Sequence, residues 1–345
     1  MSSEKTHSSD FIFLSGKHNR ITDITGITVG HAHDPHIASG VTVLLFKEPA
    51  TASIAIIGGG PANRDTACLE PDTAVSAIDA IVLSGGSGFG LDAASGAQAW
   101  LREQNRGLLV GNVKVPIVPQ AILFDLLNGG NKEWGRYPPY RELAYEAISH
   151  CQQDFSLGSV GAGFGATTVN LKGGIGSASI ISPSGFTVAA IAAVNSLSSA
   201  TMGQGPHFWA APYEIDNEFG GLGWPPQPSA EFQNLTWKGR STFATTIAVV
   251  ATDAFLSKSQ TKRLALAAQG GLTKALRLAH GYMDGDTVFS VATNQKPLTD
   301  EANHMTELGA LASDCLARAI ARGVYEASSL PFPESPRSWR ETFMP

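Results

Sequence analysis

A chain of 345 residues with 43% hydrophobic and only 16% charged residues can bury a substantial core and falls outside the disordered class. Its formal net charge of −6 supplies no basic stripe to neutralise phosphates, which argues against nucleic acid as a partner. Cys68, Cys151 and Cys315 stand far apart with no paired spacing, a pattern that fits neither a disulfide framework nor a zinc site and suits a reducing compartment.

The first ten residues are polar, and no basic, apolar, small-residue order follows them, so no signal peptide is expected. The longest uncharged apolar run, near 186–194, is too short to cross a bilayer. The expected location is the cytoplasm, away from membranes.

Ile21 to Val29 reads as a strand that runs into a turn at Gly30-His31. Gly40–Phe46 and Ala52–Ile57 read as two more strands, with Lys47-Glu48-Pro49 as a hairpin-like connection between them. His31, His33 and His36 raise the question of a metal. Their spacing matches none of the helical zinc motifs, Asp34-Pro35 marks a turn, and a solvated loop is expected instead.

Gly58-Gly59-Gly60-Pro61 has the form of a strand exit that cradles an anion, but no Lys-Ser or Lys-Thr helix follows, so it is not a phosphate loop. A second glycine run, Leu83 to Gly90, lies between the strand-like Ala80-Ile81-Val82 and a helix from Leu91 to about Gln104. Its glycine order differs from the dinucleotide-binding fingerprint, and it reads as a substrate-facing turn with free backbone N–H groups. Val113–Leu123 reads as an edge strand interrupted by Pro116 and Pro119, and Pro139–Ser149 as a helix with proline in its first turn. After a third glycine run come Lys172 and the apolar strand Thr187–Val194, which ends at Asn195.

From about Met202 to Arg240 the chain is rich in Gly, Pro and aromatics, with no periodicity of either kind. It delivers abruptly into Phe243–Asp253, whose β-branched residues predict a strand. A long irregular segment opening on Thr245-Thr246 suggests a processing site. Cleavage after Ala244 gives Thr245 a hydroxyl nucleophile and a free α-amine on adjacent carbons, so that one residue holds both nucleophile and base.

Ser257 then caps a helix running to about Leu278, which Gly270-Gly271 breaks or kinks. Asp284-Gly285-Asp286 opens a strand over Thr287–Ala292. Side chains two apart in extended chain share a face, so the two carboxylates project together and call for a cation or donors nearby. Glu301 to about Glu326 is the last long helix.

Thr245–Ala254 followed by Met283–Phe289 resembles the self-processing DmpA-type peptidases, which include L-aminopeptidase/D-esterases, β-peptidyl aminopeptidases and nylon-oligomer hydrolases. Gly58–Pro61, Leu83–Asp92, Val115–Pro119 and Gly161-Ala162-Gly163 match the same family in the same order, so the likeness runs from about Ile21 to Arg322. It implies an α+β fold, a four-layer αββα sandwich shared with ornithine acetyltransferase, of the N-terminal-nucleophile type. It also implies a polar tail over 1–20 and a single catalytic domain over 21–345, cut once into an α chain 1–244 and a β chain 245–345 that assemble as a homo-oligomer. Carried over by residue, Thr245 is the nucleophile, Asp284 and Asp286 its carboxylate partners, Asn195 the oxyanion-side amide and Lys172 a supporting donor. Many relatives have asparagine or glycine before the cut where this chain has Ala244, and some have tyrosine where it has Phe124.

The expected activity is therefore that of an N-terminal-threonine aminopeptidase or amidohydrolase acting on small peptides or amino-acid amides, with no cofactor and no metal. Two other classes compete: an acyltransferase of the ornithine acetyltransferase type, and an uncleaved, non-enzymatic binding protein of the same fold.

Overall fold

A computed structural model describes residues 13–227, 230–239 and 243–344. The first twelve residues of the polar tail and Arg240, at the end of the irregular segment, lie outside them.

The strands are β1 (Ile27–Asp34), β2 (Ser39–Ile56), β3 (Asn63–Arg64), β4 (Ile78–Ser84), β5 (Leu108–Val110), β6 (Val113–Val115), β7 (Gln120–Ile122), β8 (Ile175–Ile181), β9 (Thr187–Asn195), β10 (Thr245–Ala254) and β11 (Thr287–Lys296). The helices are α1 (Ser87–Gly90), α2 (Ala93–Glu103), α3 (Tyr140–Ser149), α4 (Lys258–Ala268), α5 (Gly270–Ala275), α6 (Glu301–Tyr325) and α7 (Trp339–Phe343).

The main path of strands is β3-β7-β4-β2-β11-β10-β9-β8, with β1 on β2, while β5 and β6 form a separate hairpin. β2 belongs to two sheets. Its first half pairs with β1 and β4, and its last residues, Thr51 to Ile56, pair with β11.

Three apolar clusters define the layers. Leu44, Phe46 and Ile81 from one sheet meet Ile191, Ile247, Val249 and Phe289 from the other, which makes an inter-sheet core. Val188, Ala190, Ala248 and Val250 turn the other way, against Leu264, Leu272, Leu316 and Ile320 of α4–α6. Val41, Val43 and Val82 pack on the outer side against α2 and α3. The result is the expected four-layer αββα sandwich. β10 is buried on both faces, which is why its sequence is a near-continuous apolar run, and burying each Val or Ile there contributes about 2 kcal/mol.

Several local expectations change. The strand expected to turn at Gly30-His31 continues to Asp34, carrying His31 and His33. His31 is half-buried, with its Nδ1 2.9 Å from Thr42 Oγ1, and the exposed His33 stacks on Phe164, so both lie on a strand rather than in a loop. Lys47-Glu48-Pro49 makes no hairpin: the chain runs straight through as one 18-residue strand, with a register shift between Leu45 and Ala50. Proline is accommodated there because the ladder is already interrupted.

Elsewhere the local signals agree. Ser257 makes a reciprocal capping box with Gln260, and the helix it starts breaks after Ala268. A Cβ on Gly271 would lie 2.5 Å from the Ser313 carbonyl of α6, so glycine there permits close approach of the two helices.

Candidate active site

Thr245 is the first residue of β10 and stands directly opposite Asn195, the last residue of β9. By the two-residue period of a strand, Thr245 shares a face with Ile247 and Val249, and Asn195 with Ala193 and Ile191. Both therefore lie at the rim of the inter-sheet core, where polar side chains emerge from an apolar layer. Asp284-Gly285-Asp286 reaches the same rim just before β11, which runs parallel to β10.

The approach is close. Gly58 donates its N–H to the Asp286 carbonyl at 3.3 Å and Gly60 to the Asp284 carbonyl at 2.9 Å. A Cβ on Gly58 would fall 2.3 Å from the Asp286 nitrogen. The first glycine run thus seats the carboxylate turn rather than an anion.

The Ala244 carbonyl oxygen accepts two hydrogen bonds, from the Gly285 N–H at 2.9 Å and from Thr245 Oγ1 at 2.5 Å. A hydroxyl thus lies against the preceding carbonyl group while a backbone N–H polarises it.

Asp286 is fully buried. Its Oδ1 accepts the Thr246 N–H at 3.0 Å and its Oδ2 the His280 N–H at 2.8 Å. The His280 ring nitrogen Nδ1 lies 3.3 Å from Oδ2 but is not aligned for a hydrogen bond. Asp284 is also fully buried, and neither of its carboxylate oxygens has a hydrogen-bond partner among the described residues. Burial, then the nearby Asp286 carboxylate, push its pKa up to about 9, against the pull of the Lys238 ammonium. Asp284 therefore carries a proton at neutral pH.

Asn195 is held on all sides. Its Nδ2 donates to the Phe124 carbonyl at 2.8 Å, and its Oδ1 accepts from Thr167 N at 3.0 Å, Lys238 Nζ at 3.2 Å and Asn128 Nδ2 at 3.3 Å. One Nδ2 hydrogen is left for another acceptor.

Lys172 stands one step away from these groups. Its buried ammonium donates to the carbonyls of Ala166 (2.7 Å), Gly173 (2.8 Å) and Gly163 (3.1 Å). It thereby fixes the turn whose Thr167 N–H holds Asn195. Burial pulls its pKa down to about 7.

That environment carries a prediction. Lys172→Met, made in an uncut Thr245→Ala background, strands three carbonyls and should cost about 3 kcal/mol. The folded state releases the lysine proton near pH 7 and the unfolded state near 10.5, so across that window the unfolded chain binds more protons and stability rises with pH. The gap between the Thr245→Ala parent and its Lys172→Met derivative should widen toward pH 10, by at most about 1.4 kcal/mol per pH unit. Thermal unfolding at pH 7 and 10 measures it, and a constant gap would contradict this role.

Three contributors have no strong sequence signal. Lys238 lies in the aperiodic segment, His280 in an irregular stretch at φ +61°, and the Gly285 contribution is a backbone N–H. A fold placing Trp237-Lys238 beside Asn195 joins positions 43 residues apart, which no local pattern encodes.

The Leu83–Gly90 turn departs from expectation. Its N–H groups from Gly85 to Ser87 are not free: Gly85 donates to the Gly40 carbonyl, Gly86 to Asp125 Oδ1 at 2.8 Å and Ser87 to the Leu123 carbonyl at 2.9 Å. Buried amides pair internally when the fold supplies acceptors.

The chain belongs to peptidase family S58, whose family model matches residues 19–336, and it is accordingly a hydrolase of peptide bonds. An uncharacterized aminopeptidase of Mycobacterium leprae is 40% identical over 343 residues, covering 92% of this chain and 93% of its own length. A second, from Mycobacterium tuberculosis (strain H37Rv), is 38% identical over 330 residues, covering 90% and 94%.

Among solved structures, a β-aminopeptidase from Burkholderia sp. superposes with a TM-score of 0.71 at 20% identity, covering 96% of this chain and 93% of that one. The L-aminopeptidase D-Ala-esterase/amidase of Ochrobactrum anthropi, described as a new variant among the Ntn hydrolase fold, gives 0.68 at 21% identity, covering 95% and 93%. At these identities the two structures speak to the fold.

Proposed function

We propose that this chain is a self-processing N-terminal-threonine aminopeptidase that cuts itself once, between Ala244 and Thr245. The observation that carries the reading is the Ala244 carbonyl held between the Thr245 hydroxyl and the Gly285 N–H. Thr245 Oγ attacks the Ala244 carbonyl carbon, the C–N bond breaks, and the chain is joined through an ester. Asp284, protonated near neutral pH and bridging with Ala244, gives its proton to the departing Thr245 nitrogen and takes in its place the proton that the Thr245 hydroxyl gives up. Water opens the ester and leaves an Ala244 carboxylate and a free α-amine on Thr245.

In the cut enzyme that amine, with a reference pKa of about 8, takes the hydroxyl proton as Oγ attacks the substrate carbonyl. Asp286, fixed by the Thr246 and His280 N–H groups, holds the amine in place. Asn195 and the Gly285 N–H stabilise the oxyanion, each donor contributing about 3 kcal/mol. The acyl group passes to Oγ, the amine product leaves with the proton, and water hydrolyses the ester.

The names of the relatives support small peptides or amino-acid amides with a free amine as substrates. Assembly as a homo-oligomer would cover the β5–β6 hairpin, whose Leu108, Leu109, Val110, Val113 and Val115 are all exposed, a patch of the kind that marks interfaces. A cytoplasmic setting suits its three free cysteines. We further propose the division into an α chain 1–244 and a β chain 245–345.

Turnover separates hydrolysis from acyl transfer. The processed protein should release p-nitroaniline from a small amino-acid p-nitroanilide at a rate independent of any added amine. Release that appears only when an acceptor amine is supplied would assign it to acyl transfer.

A further inference from the structure

We propose that in the uncut chain the Lys238 ammonium occupies the subsite that receives a substrate's primary ammonium group once the chain is cut. This rests on the aminopeptidase reading and identifies what recognises the amine.

Lys238 lies six residues before Ala244 on the segment that cleavage turns into a chain end. Its Nζ donates to the Thr167 carbonyl at 2.9 Å and to Asn195 Oδ1 at 3.2 Å, and it faces the Asp284 carboxyl group, which has no hydrogen-bond partner of its own among the described residues. These acceptors all belong to the scaffold that stays behind, and two of them border the nucleophile: Asn195 opposes Thr245 across the sheet and Asp284 bridges with Ala244.

The occupant is replaceable. Asn195 Oδ1 already accepts from Thr167 N and Asn128 Nδ2, which fill the two lone pairs of an amide oxygen. The Lys238 bond is a third, so its removal leaves that oxygen satisfied. Burial also pulls the Lys238 pKa down to about 7, so an enclosed ammonium there is no gain in stability.

The segment itself is lightly attached. Lys238 N donates to the Leu197 carbonyl and Arg277 Nε to the Phe232 carbonyl, while Leu235, Thr236 and Trp237 are exposed. Beside Lys238 lies a cavity of about 360 Å³ lined by Asn128, Thr167, Trp237 and Glu334, room for the rest of a small substrate. A free ammonium in place of the lysine would meet the Thr167 carbonyl, the Asn195 amide oxygen and the Asp284 carboxyl group, oxygens that suit the three donors of a primary ammonium.

The test needs no catalysis. Thr245→Ala keeps the chain uncut with Lys238 in place, and Thr245→Ala/Lys238→Met empties the subsite of charge while keeping the aliphatic stem. Calorimetric titration with n-butylammonium should show at least tenfold tighter binding to the double variant, because a tethered competitor acts at millimolar effective concentration or more. n-Butanol, the neutral counterpart, should bind neither protein measurably. The double variant should melt within about 3 °C of its parent, and should it fail to fold, Thr245→Ala/Lys238→Ala serves the same titration. Equal n-butylammonium affinity with and without Lys238, or n-butanol binding as tight as n-butylammonium, would overturn the assignment. Since binding is read in proteins that cannot turn over, a failure of the hydrolase reading shows separately, as absent turnover in the wild type.

Discussion

Thr245→Ala is expected to stop both self-cleavage and turnover while leaving the fold intact. The residue opens a fully buried strand, where alanine fits without strain, and the change removes the Oγ1 that lies 2.5 Å from the Ala244 carbonyl oxygen. Loss of a nucleophile typically lowers a rate by about a millionfold, so the purified variant should run as one 345-residue chain under denaturing conditions. Thr245→Ser keeps a hydroxyl on the same carbon and should retain part of each activity. If the alanine variant still breaks at the same bond, another nucleophile is responsible.

Asp286→Asn is expected to depress hydrolysis of a small amino-acid p-nitroanilide by at least about a hundredfold, the scale of losing a positioned proton-handling group. An amide there keeps one acceptor for the Thr246 or His280 N–H and turns an NH2 toward the other, and it removes the charge that faces the amine. A purely structural Asp286 would show itself differently, as a lower melting temperature with kcat unchanged, since two buried N–H groups depend on it. Asp284→Asn should act in the same direction. If both groups serve one amine, the double variant should cost less than the sum of the two.

The parts of this fold that were legible in the sequence are those that local chemistry decides. The β-branched run after Thr245 is a strand, Ser257 caps a helix through Gln260, and Gly270-Gly271 divides it where α5 presses on α6. Long-range pairing decided the rest. Pro49 reads as punctuation, yet β2 passes through it because the strand is handed from one sheet to the other at that point. β8, with Gly176, Ser177 and Ser179 among its buried residues, lacks the apolar alternation that marks a strand and forms because β9 supplies a ladder.

The site divides in the same way. Thr245, Asp284, Asp286 and Asn195 sit at strand ends, where a side chain can be placed from the strand itself, and the structure gathers them at one rim. Lys172 was legible as a residue, but its three carbonyl partners were not. Lys238 and His280 come from segments without periodicity, and only the folded chain brings them to the carboxylates.

The central claim is that the bond before Thr245 breaks by the chain's own chemistry. The intact mass of the purified protein under denaturing conditions, with the amino-terminal residue of the smaller piece, tests it most directly. The account predicts two pieces of 244 residues and 345 − 244 = 101 residues, the second beginning with Thr245 and carrying a free amine. A single undivided chain after prolonged incubation at neutral pH would contradict it and leave an uncut binding protein on the same fold.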